Sequence, residues 1–133
     1  MADGQYPGFI RLMLNRARQK LQPPPRGAFA VPVVGESHHQ TDIEGICGGR
    51  TEAGVEHPCE ALLIPEHDNR YDSHAVRVEI DGLKVGYLAR PDAKDFRHKY
   101  GSSPMSCAAV VRGGWDRGGD DQGHFGVYLD LRL

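Results

Sequence analysis

Apolar and polar residues alternate on both sides of Asp81-Gly82, over Val76–Ile80 and again from Leu83. A period of two marks a half-buried strand. An Asp-Gly pair between two such runs is a two-residue hairpin turn that needs positive φ. Counting outward sets Ile80 opposite Leu83, Val78 opposite Val85 and Val76 opposite Tyr87, six side chains on one apolar face. Glu79 meets Lys84 on the other face, an opposite-charge cross-strand pair. A slip of one residue would turn the apolar set to water, so the pattern predicts a fixed register.

The same reading extends along the chain. Phe9, Ile10, Met13, Leu14, Ala17 and Leu21 recur at helical spacing behind Pro7, with Arg11, Asn15 and Arg18 opposite. Pro23-Pro24-Pro25 ends that helix in a stiff linker. Residues 1–27 are therefore read as an amphipathic helix and linker, and residues 28–133 as the domain. Phe29–Val34 predicts a first strand. Thr41–Cys47 is weakly helical, with Thr41 as N-cap and Gly48-Gly49 as its stop. Residues 50–57 read as a polar loop and Cys59–Pro65 as a second strand. Arg90–Tyr100 is a helix with Pro91 at its first position and Ala93, Phe96 and Tyr100 on one face. Ser106–Arg112 and His124–Leu133 are closing strands around a Gly/Asp-rich loop that carries Trp115. Trp115 could stack on a base or cap the barrel. The fold class expected is mainly β: a small antiparallel β-barrel with one helix in the barrel domain and an extra N-terminal helix.

Composition narrows the function. With 39% hydrophobic and 26% charged residues, a packed core is expected. No apolar run reaches the roughly 18 residues of a membrane span, and the N-terminus lacks the order of a signal peptide. The expectation is a cytoplasmic protein with no membrane partner. The net charge of −2 argues against a strongly electrostatic nucleic-acid binder. Charge is unevenly spread, however. Residues 36–81 hold eleven acids against three arginines, whereas residues 1–27 and 84–99 are basic. An anionic partner would be drawn to the two basic stretches.

Catalytic and metal signatures are weak. His38, His39, His57, Cys59 and His67 match no zinc spacing. Cys47, Cys59 and Cys107 are an odd count without a CxxC, which reads as buried or incidental thiols. Glu66, Asp68 and Asp72 could hold a divalent metal, but Asp and Asn in a turn more often bond their own backbone. The chain has neither a Walker lysine loop nor a GxSxG elbow. An enzyme is not expected, and no cofactor is implied.

Val33-Val34-Gly35, the run Glu66-His67-Asp68-Asn69-Arg70-Tyr71-Asp72-Ser73-His74-Ala75-Val76-Arg77-Val78, and Val85-Gly86-Tyr87-Leu88 together resemble the HIRAN domain. That family runs VVG, then (E/D)xxNxYDxxAVxV, then (I/V)GYL. The resemblance covers roughly residues 29–100. It implies an OB-like barrel. Its best understood members sit at the N-terminus of helicases that remodel stalled replication forks, where the domain grips the 3′ end of single-stranded DNA. Other members stand alone in bacteria and phages or are fused to nucleases. By that likeness Asn69, Tyr71 and Asp72 fall on the binding loop. Tyr71 would stack on the terminal base and Asp72 would accept from the 3′ hydroxyl. Arg90 would meet a phosphate, and Tyr87 would lie at the same mouth.

One wall departs from the family. In the end-binding members an arginine and two tyrosines follow VVG; here those positions hold Ser37, His38 and His39. A charge is lost and two stacking platforms become imidazoles, which gain charge below roughly pH 6.5. The expected function is recognition of single-stranded DNA or its 3′ end in repair, replication or defence. The alternative is an interaction module that binds a helicase or nuclease partner through the N-terminal helix and the acidic surface.

Overall fold

The computed structural model describes residues 28–133. The helix expected at 7–21 and its linker lie outside the described residues. Six strands follow one another as β1 (Val31–Val34), β2 (Val55–Pro65), β3 (Val76–Ile80), β4 (Leu83–Leu88), β5 (Met105–Gly113) and β6 (Phe125–Leu129). A 3-10 turn (Glu36–His38) and helix α1 (Gln40–Cys47) separate β1 from β2, and helix α2 (Arg90–Tyr100) separates β4 from β5. The strands close into an antiparallel barrel in the order β1-β4-β3-β2-β5-β6, with β6 returning to β1. Mainly β and barrel-shaped, this is the expected class, with one strand more than the five of an OB-fold.

Each strand buries one face. Val76, Val78 and Ile80 of β3, Leu63 of β2, Val111 of β5 and Val127 and Leu129 of β6 are all 1% exposed or less. Burying a side chain of that size stabilises by about 1.5–3 kcal/mol. Phe96 of α2 joins this cluster, as does Ile43 of α1.

The hairpin turn forms as expected, with φ of 53° at Asp81 and 79° at Gly82. Ile80 pairs with Leu83 and Glu79 with Lys84. Beyond that the expected register is wrong. A bulge shifts the ladder, so Val78 pairs with Gly86 and Arg77 with Tyr87. The extra residue reverses the inside-outside alternation of β4. Val85 and Leu88 point inward, Leu83 is 40% exposed and Tyr87 is half-buried. The cause is visible at Gly86, where φ is 151° and β1 crosses closely. A Cβ there would lie 2.4 Å from the Val34 carbonyl oxygen and 2.6 Å from Val33 Cγ1. The bulge turns Tyr87 to the same surface as Arg77.

Four further expectations need correction. The barrel domain has two helices rather than one. α1 runs Gln40–Cys47 behind His39, so Thr41 lies within the helix instead of capping it. Weak helical propensity is offset by Ile43, fully buried, and by Gln40, whose side chain bonds both the N–H and the carbonyl of Phe125. Gly48 ends the helix at φ 82°. The supposed loop 50–57 already contains the start of β2, because Val55 pairs with Gly113. Pro91 is the second residue of α2, behind Arg90.

Candidate functional site

The loop between β2 and β3 is polar, and its own side chains hold it. Asn69 Oδ1 accepts the N–H groups of Tyr71 (2.9 Å) and Asp72 (3.0 Å). Asn69 Nδ2 donates to Glu66 Oε1 at 3.0 Å. Asp72 Oδ1 accepts the His74 N–H at 2.9 Å, and the Asp72 carbonyl accepts the Ala75 N–H at 3.2 Å. The bonds accepted by Asn69 Oδ1 and Asp72 Oδ1 are of the Asx kind, in which a short side chain replaces a backbone acceptor. Asn69 therefore shapes the loop from within.

The loop is also tied to the barrel. Glu66 Oε2 accepts from Arg77 Nη1 at 2.9 Å and from the Tyr87 hydroxyl at 3.3 Å. Arg97 of α2 donates to the carbonyls of Glu66 and Ala75. Arg90, the first residue of α2, donates to the Tyr71 carbonyl at 3.1 Å. Burial pushes the Glu66 carboxyl up. The hydrogen bonds from Asn69, Arg77 and Tyr87, with the Arg77 charge, outweigh it and hold the group below its ordinary value. Glu66 is thus a structural anion with both oxygens engaged, unlike the metal ligand considered from the sequence.

Asn69, Tyr71, Asp72, Tyr87 and Arg90 converge on one groove of about 310 Å³, completed by Val34, Ala75 and Leu88. Ligand sites span about 300–1,000 Å³, so this one suits a single small group. Tyr71 stands at its rim, 78% exposed, with the Arg70 guanidinium 5.8 Å from its ring. Tyr87 forms a wall. Its hydroxyl is committed to Glu66, and Lys84 Nζ lies 4.6 Å from its ring. Asp72 keeps the lone pairs of its second oxygen for a ligand, and Arg90 keeps donors beyond the one given to Tyr71.

Ser37, His38 and His39 do not line this groove. They follow Val34 and Gly35 into the 3-10 turn, which Gln40 ties to Phe125 on β6. Ser37 and His38 are exposed there. Trp115 packs within its own loop: its Nε1 donates to Asp121, and its ring leaves no room for a Cβ at Gly123. Among the described residues, no three of His, Cys, Asp and Glu gather where a metal could sit. Burial pushes the Cys59 thiol up to about 11 and the Cys107 thiol to about 12, so neither is a thiolate at neutral pH.

Arg77 and Arg97 are the supporting residues that sequence reasoning missed, and Glu66 was considered there only as a metal ligand. Asn69 three positions after Glu66 was the one local signal. Arg77 and Arg97 reach the loop only through the bulged hairpin and α2. No family model, curated protein or solved structure matches this chain.

Proposed function

We propose that this protein is a HIRAN-type nucleic-acid-binding module that grips the 3′ end of a single DNA strand, in repair, replication or defence. The observation that carries this reading is Tyr71. A large aromatic ring is held out to solvent on a loop fixed at both its carbonyl and its N–H, beside a groove that contains a carboxylate and an arginine. An exposed ring on a fixed loop is a stacking platform with little ordering cost. Asp72 accepts a hydrogen bond from a terminal hydroxyl but repels an internal phosphate, which selects ends over interior. Arg90 offers charge-assisted bonds to the last phosphate. The groove holds about one nucleotide, so the affinity rests on few contacts.

The test is fluorescence anisotropy with a labelled single-stranded oligonucleotide. Base stacking on an aromatic side chain is worth about 1–3 kcal/mol. Tyr71→Ala should therefore weaken binding about five- to 150-fold. Asp72→Ala should bring binding of a free 3′ end down to that of a blocked one. Wild-type affinity in both variants would show that the groove is not the binding site.

A further inference from the structure

Helix α2 carries its charge unevenly around its axis. Ala93 and Phe96 face the core. At about 100° per residue, Arg97, Arg90, Lys94 and His98 then fall within about 100° of one another on one flank. That flank has no carboxylate, whereas Asp92 and Asp95 fall on the far side of Phe96. Backbone contacts show which way the basic flank faces. Arg97 donates to the carbonyls of Glu66 and Ala75, and Arg90 donates to that of Tyr71. The flank therefore runs beside the β2–β3 loop, and Arg90 brings its first turn into the groove.

Lys94 stands one turn beyond Arg90 on this flank, about 6 Å along the axis. It is exposed and makes no ion pair or hydrogen bond among the described residues. The other ways out of the groove suit a phosphate less well. The 3-10 turn and α1, which follow Val34, carry Glu36, Asp42 and Glu44 and no lysine or arginine. The outer face of β3 and β4 sets Glu66 and Glu79 against Arg77 and Lys84. On the loop itself Asp68 offsets Arg70. Only the α2 flank leads away from the groove with positive charge and no carboxylate.

We propose that a strand held by its 3′ end leaves the groove along α2, with Lys94 meeting the phosphate that follows the one at Arg90. This rests on the 3′-end reading of the groove and adds to it a direction and a second phosphate contact. A step of one helical turn is matched by one nucleotide of an extended single strand. The Lys94 ammonium is a compact charge on a flexible stem, so it follows a phosphate without demanding one geometry. Such a contact carries no base preference, and it releases a counterion. Affinity is then shared between the groove, which reads the end, and α2, which holds the strand behind it.

Fluorescence anisotropy tests it, with the full chain and a 5′-labelled thymidine oligonucleotide of about eight nucleotides, free or blocked at its 3′ hydroxyl. Lys94→Gln should bind the free form roughly two- to fivefold more weakly at low salt, and Lys94→Glu more weakly still. The slope of log affinity against log salt should become shallower by about 0.7 in Lys94→Gln. The preference for the free over the blocked end should stay as in wild type, because Asp72 is untouched. Lys99→Gln makes the same charge change on the opposite flank and should alter neither affinity nor slope. An unchanged thermal midpoint confirms that each variant is folded. Wild-type affinity and slope in both Lys94 variants, with the end preference intact, would overturn the path along α2 and leave the groove reading standing. Equal losses in Lys94→Gln and Lys99→Gln would overturn it too, as an effect of net charge. Absence of any end preference in the wild-type protein would overturn the groove reading, and the path with it.

Discussion

Replacing Asn69 with alanine removes three hydrogen bonds at once: those accepted from Tyr71 and Asp72 and the one donated to Glu66. Each is worth about 0.5–1.5 kcal/mol net. Tyr71 is exposed and Asn69 only half-buried, so water replaces part of the loss. The lower half of the summed range, about 1.5–3 kcal/mol, is the expected cost. Asn69 is not among the residues of the core cluster, so the change should act locally before it acts globally. Amide hydrogen exchange of full-length protein should show the N–H groups of Tyr71 and Asp72 losing protection, while those of β2 and β5 keep theirs. The thermal midpoint should fall by several degrees. DNA binding should weaken as well, because the Tyr71 platform would have to be ordered at each encounter. Unchanged protection at Tyr71 and Asp72 would refute the claim that Asn69 shapes this loop.

Two further outcomes follow from particular contacts. Gly86→Ala places a Cβ 2.4 Å from backbone at a positive φ, so urea denaturation should show destabilisation well beyond the roughly 1 kcal/mol of an ordinary substitution; a near-neutral midpoint would mean that β1 and β4 are not so close. The Glu66 carboxyl sits below its ordinary value in the folded protein. Its contribution to stability is therefore complete above the unfolded-state value of about 4.3 and is lost as pH falls through the lower folded value. Wild type should lose more stability than Glu66→Gln on acidification across that window, and parallel curves would contradict the assignment.

The hairpin turn was legible because Asp-Gly demands one local geometry. The bulge beside it was not. It depends on where β1 crosses Gly86, and nothing in residues 76–88 carries that crossing. The consequence reaches the site, since counting without the bulge sends Tyr87 into the core. Helix α2 was legible from its apolar spacing and its proline. Helix α1 was only half legible, because Gln40 and Ile43 stabilise it through tertiary contacts with β6 and the core. At the groove, the family resemblance pointed to five of the eight lining residues: Asn69, Tyr71, Asp72, Tyr87 and Arg90. It could not separate those that build the loop from those left to meet a ligand, because that depends on which lone pairs Glu66, Arg77 and Arg97 have already taken.

End recognition by the groove is tested most directly by titrating one single-stranded oligonucleotide in two forms, with a free 3′ hydroxyl and with that hydroxyl blocked by phosphate. A hydrogen bond to a charged group is worth about 1.5–3 kcal/mol. The free form should therefore bind roughly ten- to 150-fold more tightly, with a shallow salt dependence of about −0.7 per phosphate contacted. Equal affinity for the two forms, or no binding to either at low salt, would contradict the proposed role of Asp72 and Tyr71.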